Sequence, residues 1–284
     1  MKTIAIYHKD CTDGTTAAAV VLRKYPGALL YPLSHGFEAH ELEPILSSAE
    51  KDDRILTVDC VIAVREFLEA GFSVTSIDHH SGIKEEMEEL ARNIKRFKFI
   101  FDNEKSGASL TWSTFFPEEK IPELIRLVED ADLWRWKYGE DTKNAGSYLF
   151  MLTNKPEEIE KLLDKPLDAI KRDGSIIARY SAIMIDHAVK TTEPITLNIG
   201  GYKVPFYNVT TYKSEAGNSL STIRDQAVGL FTIDGDKVKI SFRSLDGHNP
   251  SALELAKTLG GGGHVKASGA GMPLENFLNS IIKN

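Results

Sequence analysis

Short apolar runs alternate with stretches of helix-like spacing in the N-terminal part of the chain. Five strand-like runs lie near residues 3–7, 28–31, 54–59, 73–78 and 97–102. Helix-like stretches lie between them, near residues 13–25, 61–71 and 84–94. This alternation predicts a parallel sheet with helices on both of its faces.

The pattern becomes helical after residue 102 and strand-rich after residue 194. Helices are predicted near 107–116, 119–131, 156–163 and 166–190. The Thr191-Thr192-Glu193-Pro194 segment that follows is typical of a helix end and a domain boundary. Strands are then predicted near 195–199, 202–209, 227–233 and 237–243, and helices near 217–226 and 250–258. The Asp234-Gly235-Asp236 segment is a hairpin signal between the last two strands.

These patterns predict an α/β protein of two domains. Residues 1–190 form a doubly wound parallel-sheet domain that includes a linker helix, and residues 195–284 form a smaller mixed-sheet α/β domain. Ligands bind at the carboxyl ends of the strands in open parallel sheets. We expect the active site in the cleft between the two domains.

Composition and charge narrow the classes of protein that fit the sequence. The 284 residues are 42% hydrophobic and 26% charged, as is ordinary for a globular protein. The net charge of −7 argues against a long-duplex binder. Residues 195–284 carry +2, which leaves −9 for the rest. That small bias could help to receive an anion, although surface chance explains it almost as well.

Targeting signals and cysteine content predict a cytoplasmic protein without a membrane partner. The apolar stretch after Met1-Lys2 is too short for a signal peptide, and no segment approaches the length of a membrane span. Cys11 and Cys60 are the only cysteines, which is too few for a disulfide framework and favours a reducing compartment.

Carboxylates and imidazoles follow three of the predicted strands. Asp78-His79-His80 follows one apolar run, Asp59 ends another, and the His8–Gly14 segment ends the first. Such groups suit Mn²⁺ and, less exclusively, Mg²⁺, Fe²⁺ or Zn²⁺. Singly, an Asp after a strand is as often a helix N-cap, but the set predicts a metal-centred phosphoester site. The candidates are His8, Asp10, Asp13, Asp59, Asp78, His79, His80, Asp130 and Asp132.

These motifs resemble those of the DHH phosphoesterase family, over nearly the whole chain. The chain has a His-Lys-Asp-Cys-Thr-Asp-Gly motif at residues 8–14, an aspartate that ends a strand at Asp59, and the Asp78-His79-His80 triplet. A further aspartate lies in the helical segment 129–136. The Asp132-Leu133-Trp134-Arg135-Trp136 sequence is most similar to the oligoribonuclease, or nanoRNase B-type, branch of the family.

The resemblance implies a centre of two Mn²⁺ ions, with Mg²⁺ or another divalent ion as an alternative. One ion would be held by His8, Asp10 and Asp59. The other would be held by Asp13, Asp59, His79 and Asp132, so that Asp59 bridges the two. His80 would lie close to the reacting phosphate, which makes His80 and Asp59 the predicted catalytic residues. Asp78 would orient a histidine.

Two positions in these motifs stay open. The first motif has two residues, Cys11 and Thr12, between its aspartates, where one residue is usual in the family. Either a bulge absorbs the extra residue, or Asp10 is not a metal ligand and Cys11 approaches the metal instead. Asp130 competes with Asp132, because side chains two residues apart on a helix face different ways. We favour Asp132 on the tryptophan spacing, and interpret the tryptophans as packing residues.

A glycine run near the C-terminus supplies a second signal. Gly260–Gly263 alone would indicate a flexible loop, and it does not fit the phosphate loop of nucleotide triphosphatases. Followed by His264-Val265-Lys266-Ala267-Ser268-Gly269, it resembles the C-terminal substrate domain that accompanies many DHH proteins. The resemblance implies substrate contacts at Ser214, Asn218, Arg243, Gly262, Gly263 and His264. Arg243 and Asn218 could instead be ordinary surface residues.

The resemblance implies a Mn²⁺-dependent phosphodiesterase that hydrolyses single-stranded oligoribonucleotides of about two to five nucleotides to mononucleotides by two-metal water attack. Short RNA or dinucleotides would be the partners, and a homodimer is plausible by analogy. A phosphatase of 3′-phosphoadenosine 5′-phosphate or a hydrolase of linear dinucleotides shares the same motifs. A pyrophosphatase, a non-catalytic nucleotide-binding module and a ligand-free structural domain are the more distant alternatives.

Overall fold

The computed structural model describes residues 1–282, which form two compact units. The first unit contains Met1–His80 and Lys84–Ala178, and the second contains Ser81–Ile83 and the residues from Arg179 onward. One long helix, α9 (Asp168–Thr191), contributes to both units and ends at the Thr191 stop signal seen in the sequence. Among residues 1–282, no helix combines the length and the apolar character that a membrane span requires.

The first unit contains a five-stranded parallel sheet, as the sequence predicts. Its strands are β1 (Thr3–His8), β2 (Leu29–Leu33), β3 (Arg54–Val58), β4 (Val74–Asp78) and β5 (Phe97–Phe101). They are arranged in the order β2-β1-β3-β4-β5, and every neighbouring pair is parallel. The chain reverses its direction across the sheet between β1 and β3. The carboxyl ends of these two strands therefore flank the crevice in which such sheets bind ligands.

Helices surround this sheet. They are α1 (Thr12–Lys24), α2 (Ala39–Ser48), α3 (Val64–Glu69), α4 (Lys84–Asn93), α5 (Gly107–Phe115), α6 (Glu123–Asp132), α7 (Glu140–Phe150) and α8 (Pro156–Glu160), followed by α9. Helix α1 packs against β1, α5 and α8, and its residues 15–21 are buried on all sides. Three consecutive alanines, at 17–19, allow this close approach. The unpredicted helix α2 contains Pro44 and begins with a capping box between Glu38 and Glu41.

The second unit contains a six-stranded mixed sheet. Its strands are β6 (Ile195–Ile199), β7 (Tyr202–Tyr207), β8 (Val228–Asp234), β9 (Lys237–Arg243), β10 (Gly262–Gly263) and β11 (Ala267–Pro273), in the order β10-β11-β9-β8-β7-β6. Only β7 and β8 are parallel, and α10 (Lys213–Arg224) connects them. The predicted hairpin joins β8 to β9, with Gly235 at a φ of 62°.

An aromatic cluster forms the core of the second unit. Phe206 and Phe242 meet edge to face with ring centroids 5.7 Å apart, and Phe277 contacts Phe206 at 6.1 Å. Phe277 lies on α12 (Leu274–Asn279), and α11 (Ala252–Thr258) adds Leu255 to the same core. This packing holds β9, so that its last residue, Arg243, has a fixed position at the strand end.

Candidate metal centre

The predicted ligands of the first unit lie at the carboxyl ends of its central strands. His8 is the last residue of β1, Asp59 directly follows β3, and the Asp78-His79-His80 triplet begins at the last residue of β4. Asp13 is in the first turn of α1, and Asp132 is the last residue of α6. Because the strands are parallel neighbours, their ends bring these side chains together at the crevice beside β1 and β3.

Asp59 lies at the centre of the cluster. Its Oδ2 is 3.7 Å from Nδ1 of His8 and 3.5 Å from Sγ of Cys11. Its Oδ1 faces the other way and is 3.2 Å from Nε2 of His79. That same Nε2 is 3.5 Å from Oδ2 of Asp132 and 3.9 Å from Oδ2 of Asp13. The two oxygens of Asp59 thus face two different groups of metal-competent atoms.

These groups are His8 with Cys11 and Asp59, and Asp13 with His79 and Asp132. Within each group, one ligand atom per residue lies within 4.8 Å of the others. The arrangement places Asp59 where the sequence analysis expects a bridging carboxylate. It also selects Asp132 rather than Asp130 as the aspartate from α6 that joins the cluster.

The N-terminus of α5 holds Asp13 in place. Asp13 accepts hydrogen bonds from Oγ of Ser106 (2.7 Å) and from the backbone N–H groups of Gly107 (2.6 Å) and Ala108 (3.1 Å). These are the free donors at a helix start, and the helix dipole favours a carboxylate there. A Cβ on Gly107 would come within 2.5 Å of Cβ of Asp59, so glycine is required at this position.

Asp78 orients the last histidine of the triplet. Its Oδ1 lies 2.7 Å from Nδ1 of His80 and accepts the backbone N–H of His79 at 2.7 Å. This contact fixes the orientation of the His80 ring. The histidine whose side chain Asp78 contacts is therefore His80.

The cluster shifts the pKa values of its members in opposite directions. Burial and then the charge of Asp59 raise the pKa of Asp13 well above its usual range, and burial also raises that of Asp132. Burial opposes ionisation of Asp59, but the imidazoles of His79 and His8 hold its pKa well below the usual range. Burial opposes protonation of His79, yet contact with Asp59 raises its pKa to about 10. Asp78 likewise raises the pKa of His80 to about 9.

These residues fit a divalent cation. Asp13, Asp59 and His79 are each almost fully buried, which is costly for so many ionisable groups in one place. Oδ1 of Asp59 and Nδ1 of His8 are buried and make no hydrogen bond with the described residues. Cations between the carboxylates would remove their mutual repulsion and use these free lone pairs. Oxygen and imidazole donors are the set that Mn²⁺, Fe²⁺ and Zn²⁺ accept.

Asp10 requires a correction, because the structure does not bring it into the cluster. Its backbone has a positive φ of 57°, and its exposed carboxylate accepts a hydrogen bond from Nδ2 of Asn154 at 2.6 Å. The backbone N–H of Asp10 returns a hydrogen bond to Oδ1 of Asn154 at 3.0 Å. The extra residue in the motif is therefore absorbed by turning Asp10 outward, and Cys11 occupies the place beside His8 and Asp59.

His35 is a further member of this region that the sequence analysis missed. Its ring centroid lies 5.2 Å from that of His8, in an edge-to-face arrangement. Burial, followed by the nearby imidazoles of His8 and His80, lowers the pKa of His35, so it favours the neutral form. It comes two residues after β2, and the strand-end rule that identified the other ligands would have found it.

Asp130 has a structural role that differs from that of Asp132. Its carboxylate is buried and accepts hydrogen bonds from the backbone N–H groups of Lys137 (2.8 Å) and Tyr138 (3.2 Å) and from the hydroxyl of Thr142. It therefore fixes the turn after α6. That turn contains Trp134 and Trp136, both with positive φ; their rings contact each other, and Trp134 stays 38% exposed.

We expect this difference to separate two matched variants. Asp132→Asn should weaken divalent-metal binding by at least about tenfold, because it removes a charged ligand. Asp130→Asn should leave metal binding unchanged but lower the free energy of unfolding by about 1–3 kcal/mol, because an amide cannot accept from all three donors. Elemental analysis after dialysis and urea unfolding measure the two effects. Loss of metal in both variants alike would contradict this division of roles.

Metal binding should release protons and tighten as pH rises. The raised pKa of His79, about 10, means that its imidazole is protonated at neutral pH in the metal-free protein. A metal ligand must be deprotonated, so protons and metal compete for the site. At pH values below this pKa, the affinity for the metal should rise about tenfold per pH unit for each proton released. Calorimetric titration in two buffers of different ionisation enthalpy measures the number of protons, and identical heats in both would contradict the prediction.

The second unit contains a group of cationic side chains around the predicted residue Arg243. Nη2 of Arg243 donates to Oγ of Ser214 at 2.8 Å, which places two predicted substrate residues together. Burial lowers the pKa of Arg243, and burial with the charges of Lys239 and Arg243 lowers that of Lys213. Lys213 and Ser214 begin α10, so the helix N-terminus adds donors to the same place. This arrangement can bind an anion.

The glycine segment forms a hairpin instead of the flexible loop that glycines alone would indicate. Gly262 and Gly263 pair with Gly269 and Ser268 of β11, and the backbone N–H of His264 donates to the carbonyl of Ala267 at 2.8 Å. Gly263 has a φ of 137°, and a Cβ there would come within 2.7 Å of the Ala267 carbonyl. Asn218, on the second turn of α10, is half-buried, and its carbonyl accepts from Thr222.

Comparison with known proteins matches the C-terminal part of the chain to a named family. Residues 209–284 match the DHHA1 domain family. An uncharacterized protein of Acanthamoeba polyphaga mimivirus is 24% identical over 295 residues, which cover 94% of this chain and 66% of that protein. The chain therefore spans about two thirds of the length of this curated relative.

Solved structures share the overall fold at low identity. The DHH domain of a member of the s1p family of ribosomal proteins is 13% identical with a TM-score of 0.59, over 98% of this chain and 85% of that one. RecJ from Thermus thermophilus in complex with Mn²⁺ is 18% identical with a TM-score of 0.54. That match covers 98% of this chain but only 50% of RecJ. These likenesses agree with the predicted α/β architecture of a parallel sheet followed by a mixed sheet.

Proposed function

We propose that this chain, whose residues 209–284 match the DHHA1 domain, is a divalent-metal-dependent phosphodiesterase of the DHH family. Its proposed substrates are single-stranded oligoribonucleotides of about two to five nucleotides, which it hydrolyses to mononucleotides. The observation that carries the proposal is the position of Asp59, whose two carboxylate oxygens face two groups of metal-competent atoms. A bridging carboxylate of this kind is what a two-metal phosphoester site requires.

The residues of the first unit divide into holders of metal and a group that acts on the substrate. His8, Asp59, Asp13, His79 and Asp132 would hold the ions. Two divalent ions there supply a water activated for attack on phosphorus and neutralise charge on the phosphate oxygens. Mn²⁺ suits the mixture of carboxylate and imidazole, and Mg²⁺ is the alternative. RecJ, which shares the fold, was solved in complex with Mn²⁺.

His80 is the proposed proton donor or hydrogen-bond donor to the phosphate. Its Nδ1 lies 2.7 Å from Oδ1 of Asp78, which holds the ring in a fixed orientation. The same contact raises its pKa to about 9, so the imidazole carries its proton at neutral pH. A protonated, oriented imidazole stabilises negative charge as it develops on a phosphate oxygen.

The second unit, which contains the DHHA1 match and is called the DHHA1 unit below, is the proposed binder of the substrate phosphate and base. Arg243, supported by Ser214, provides a planar donor set that matches a phosphate, and Lys213 lies at the start of α10. Gly262, Gly263 and His264 complete the predicted contacts. A few cationic groups in one place suit the terminal phosphate of a short strand, whereas the acidic chain offers no basic track for a long one.

A timed digestion of end-labelled RNA tests this proposal. Oligoribonucleotides of two, five and twenty-four nucleotides are incubated with the metal-loaded protein and resolved on a gel. Rapid loss of the two shorter substrates, with a slow twenty-four-mer, is the expected result. Equal rates for all three lengths would contradict the short-substrate proposal. Release of phosphate from 3′-phosphoadenosine 5′-phosphate, without RNA cleavage, would establish the phosphatase alternative instead.

A further inference from the structure

Cys11 occupies a position beside the metal-competent residues that a carboxylate was expected to fill. It is the N-cap of α1, and its Sγ accepts the backbone N–H of Gly14 at 3.4 Å. Its carbonyl accepts from both the backbone N–H and the hydroxyl of Thr15, at 3.0 Å and 2.7 Å. The start of the helix therefore fixes the direction of the thiol, which lies 3.5 Å from Oδ2 of Asp59.

A second observation at this place also points to a ligand. Asp59 is 1% exposed, and its Oδ2 lies 3.5 Å from Sγ of Cys11 and 3.7 Å from Nδ1 of His8. Nδ1 of His8 is itself buried and makes no hydrogen bond with the described residues. A nitrogen, a sulfur and an oxygen atom thus lie within 4.8 Å of one another, each with a lone pair available. This is the spacing of donors around one cation.

The other cysteine provides a contrast. Cys60 is 1% exposed, follows Asp59 in the chain, and takes part in no group of metal-competent side chains among residues 1–282. Its carbonyl accepts the hydroxyl of Ser76, and it behaves as a small core residue. The two cysteines therefore differ in surroundings, although both lie close to the same strand ends.

We propose that Cys11 is a ligand, with His8 and Asp59, of one metal position, and that its thiolate makes this position select a borderline-soft ion such as Zn²⁺ or Co²⁺. The inference rests on the proposed function, because it assumes that the cluster binds metal. On coordination, the thiol proton passes to solvent and a sulfur–metal bond forms, with no change of oxidation state. The position formed by Asp13, His79 and Asp132 keeps oxygen and nitrogen donors only.

The two positions then differ in the ions they prefer. Thiolate sulfur favours Zn²⁺ and Co²⁺ over Mn²⁺ and Mg²⁺, whereas carboxylates suit the harder ions. We expect a mixed centre in which one borderline-soft ion is retained on dialysis and a second, harder ion exchanges more readily. The usual two-aspartate motif would not produce this difference between the positions.

Cobalt spectroscopy tests the sulfur ligand directly. Metal-stripped protein is titrated with Co²⁺, and near-ultraviolet absorption reports thiolate-to-cobalt charge transfer. Wild type and the matched control Cys60→Ala are expected to show this absorption, and Cys11→Ser and Cys11→Asp are expected to lack it. Cys11→Ser should also weaken Zn²⁺ binding by at least about tenfold, because loss of even a supporting residue commonly lowers the metal affinity of a site by that much. Cys11→Asp should restore binding with a preference shifted to Mn²⁺.

Other outcomes overturn the inference. It fails if wild type binds Co²⁺ without charge-transfer absorption, or if the absorption persists in Cys11→Ser while Cys60→Ala loses it. Far-ultraviolet circular dichroism confirms that each variant is folded before the titration. Absorption in a protein that does not hydrolyse RNA would uphold the ligand and refute the proposed function. RNA hydrolysis by a protein that shows no absorption would uphold the proposed function and refute Cys11 as a ligand.

Discussion

Asp59→Asn is expected to lower the rate of metal-dependent RNA hydrolysis by roughly a thousandfold or more. Losses of this size are typical when one member of a catalytic group that acts together is removed. Asparagine has nearly the same shape, but its amide nitrogen cannot accept a metal. One of the two atoms that face His8 and His79 would therefore be lost, together with the negative charge that offsets the imidazoles. We also expect fewer ions per chain by elemental analysis.

Asp52→Asn is the matched control for this prediction, because Asp52 is an exposed aspartate whose carboxylate lies 3.6 Å from the N-terminal amine and outside the metal-competent groups of the described residues. It makes the same chemical change and should hydrolyse RNA like wild type. Circular dichroism checks that both variants are folded. Full hydrolysis by Asp59→Asn at saturating Mn²⁺ would show that the metal assignment is wrong.

Arg243→Gln is expected to lower kcat/KM for a short oligoribonucleotide by about a hundredfold, which corresponds to losing a charged hydrogen bond of about 2–3 kcal/mol. The guanidinium is held by Ser214 and by the carbonyl of Phe242, so its remaining donors are fixed in direction. Metal content should stay at the wild-type value, because Arg243 belongs to the DHHA1 unit and not to the metal cluster.

Arg224→Gln is the control for Arg243→Gln. Arg224 lies at the end of α10, is exposed, and donates to the hydroxyl of Tyr207. The same loss of charge there should change kcat/KM by no more than about twofold. Arg243→Lys should recover part of the activity, because lysine keeps the charge without the planar donor set. Equal kcat/KM for wild type and Arg243→Gln would remove Arg243 from the substrate site.

The parallel sheet could be predicted because buried strands and amphipathic helices have different periods. All five strands of the first unit lie within a few residues of their predicted positions. Helix α2 was missed, since Pro44 reads as a helix breaker and its capping box was overlooked. Strand β11 was also missed. Its glycine-rich sequence has little strand propensity, and pairing with β9 and β10 determines its conformation.

The candidate metal site could be predicted wherever a regular element fixes the direction of a side chain. Asp59 and His79 follow strands, and strand ends converge in a parallel sheet. Asp10 could not be placed in this way, because it lies in the irregular turn between β1 and α1. Its positive φ and its contact with Asn154, distant in sequence, decide its direction. The same turn brings Cys11 to the cluster.

The choice between Asp130 and Asp132 depended on a motif spacing, and the structure supplies its physical basis. The two side chains face different ways from the same helix, so only one can join the cluster. The backbone donors of Lys137 and Tyr138, which hold Asp130, come from a turn that the sequence pattern does not reveal. In the second unit, the contact between Arg243 and Ser214 likewise depends on the packing of α10 against β9, with Gly217 allowing the close approach.

One measurement tests the central claim most directly: bound metal per chain and turnover of a labelled diribonucleotide, determined on the same preparation. Protein stripped with a chelator should contain no metal and have no activity. Reconstituted protein should contain about two ions per chain and hydrolyse the diribonucleotide to mononucleotides. A protein that binds no divalent metal, or one that binds two ions per chain and hydrolyses no phosphoester, would contradict the account.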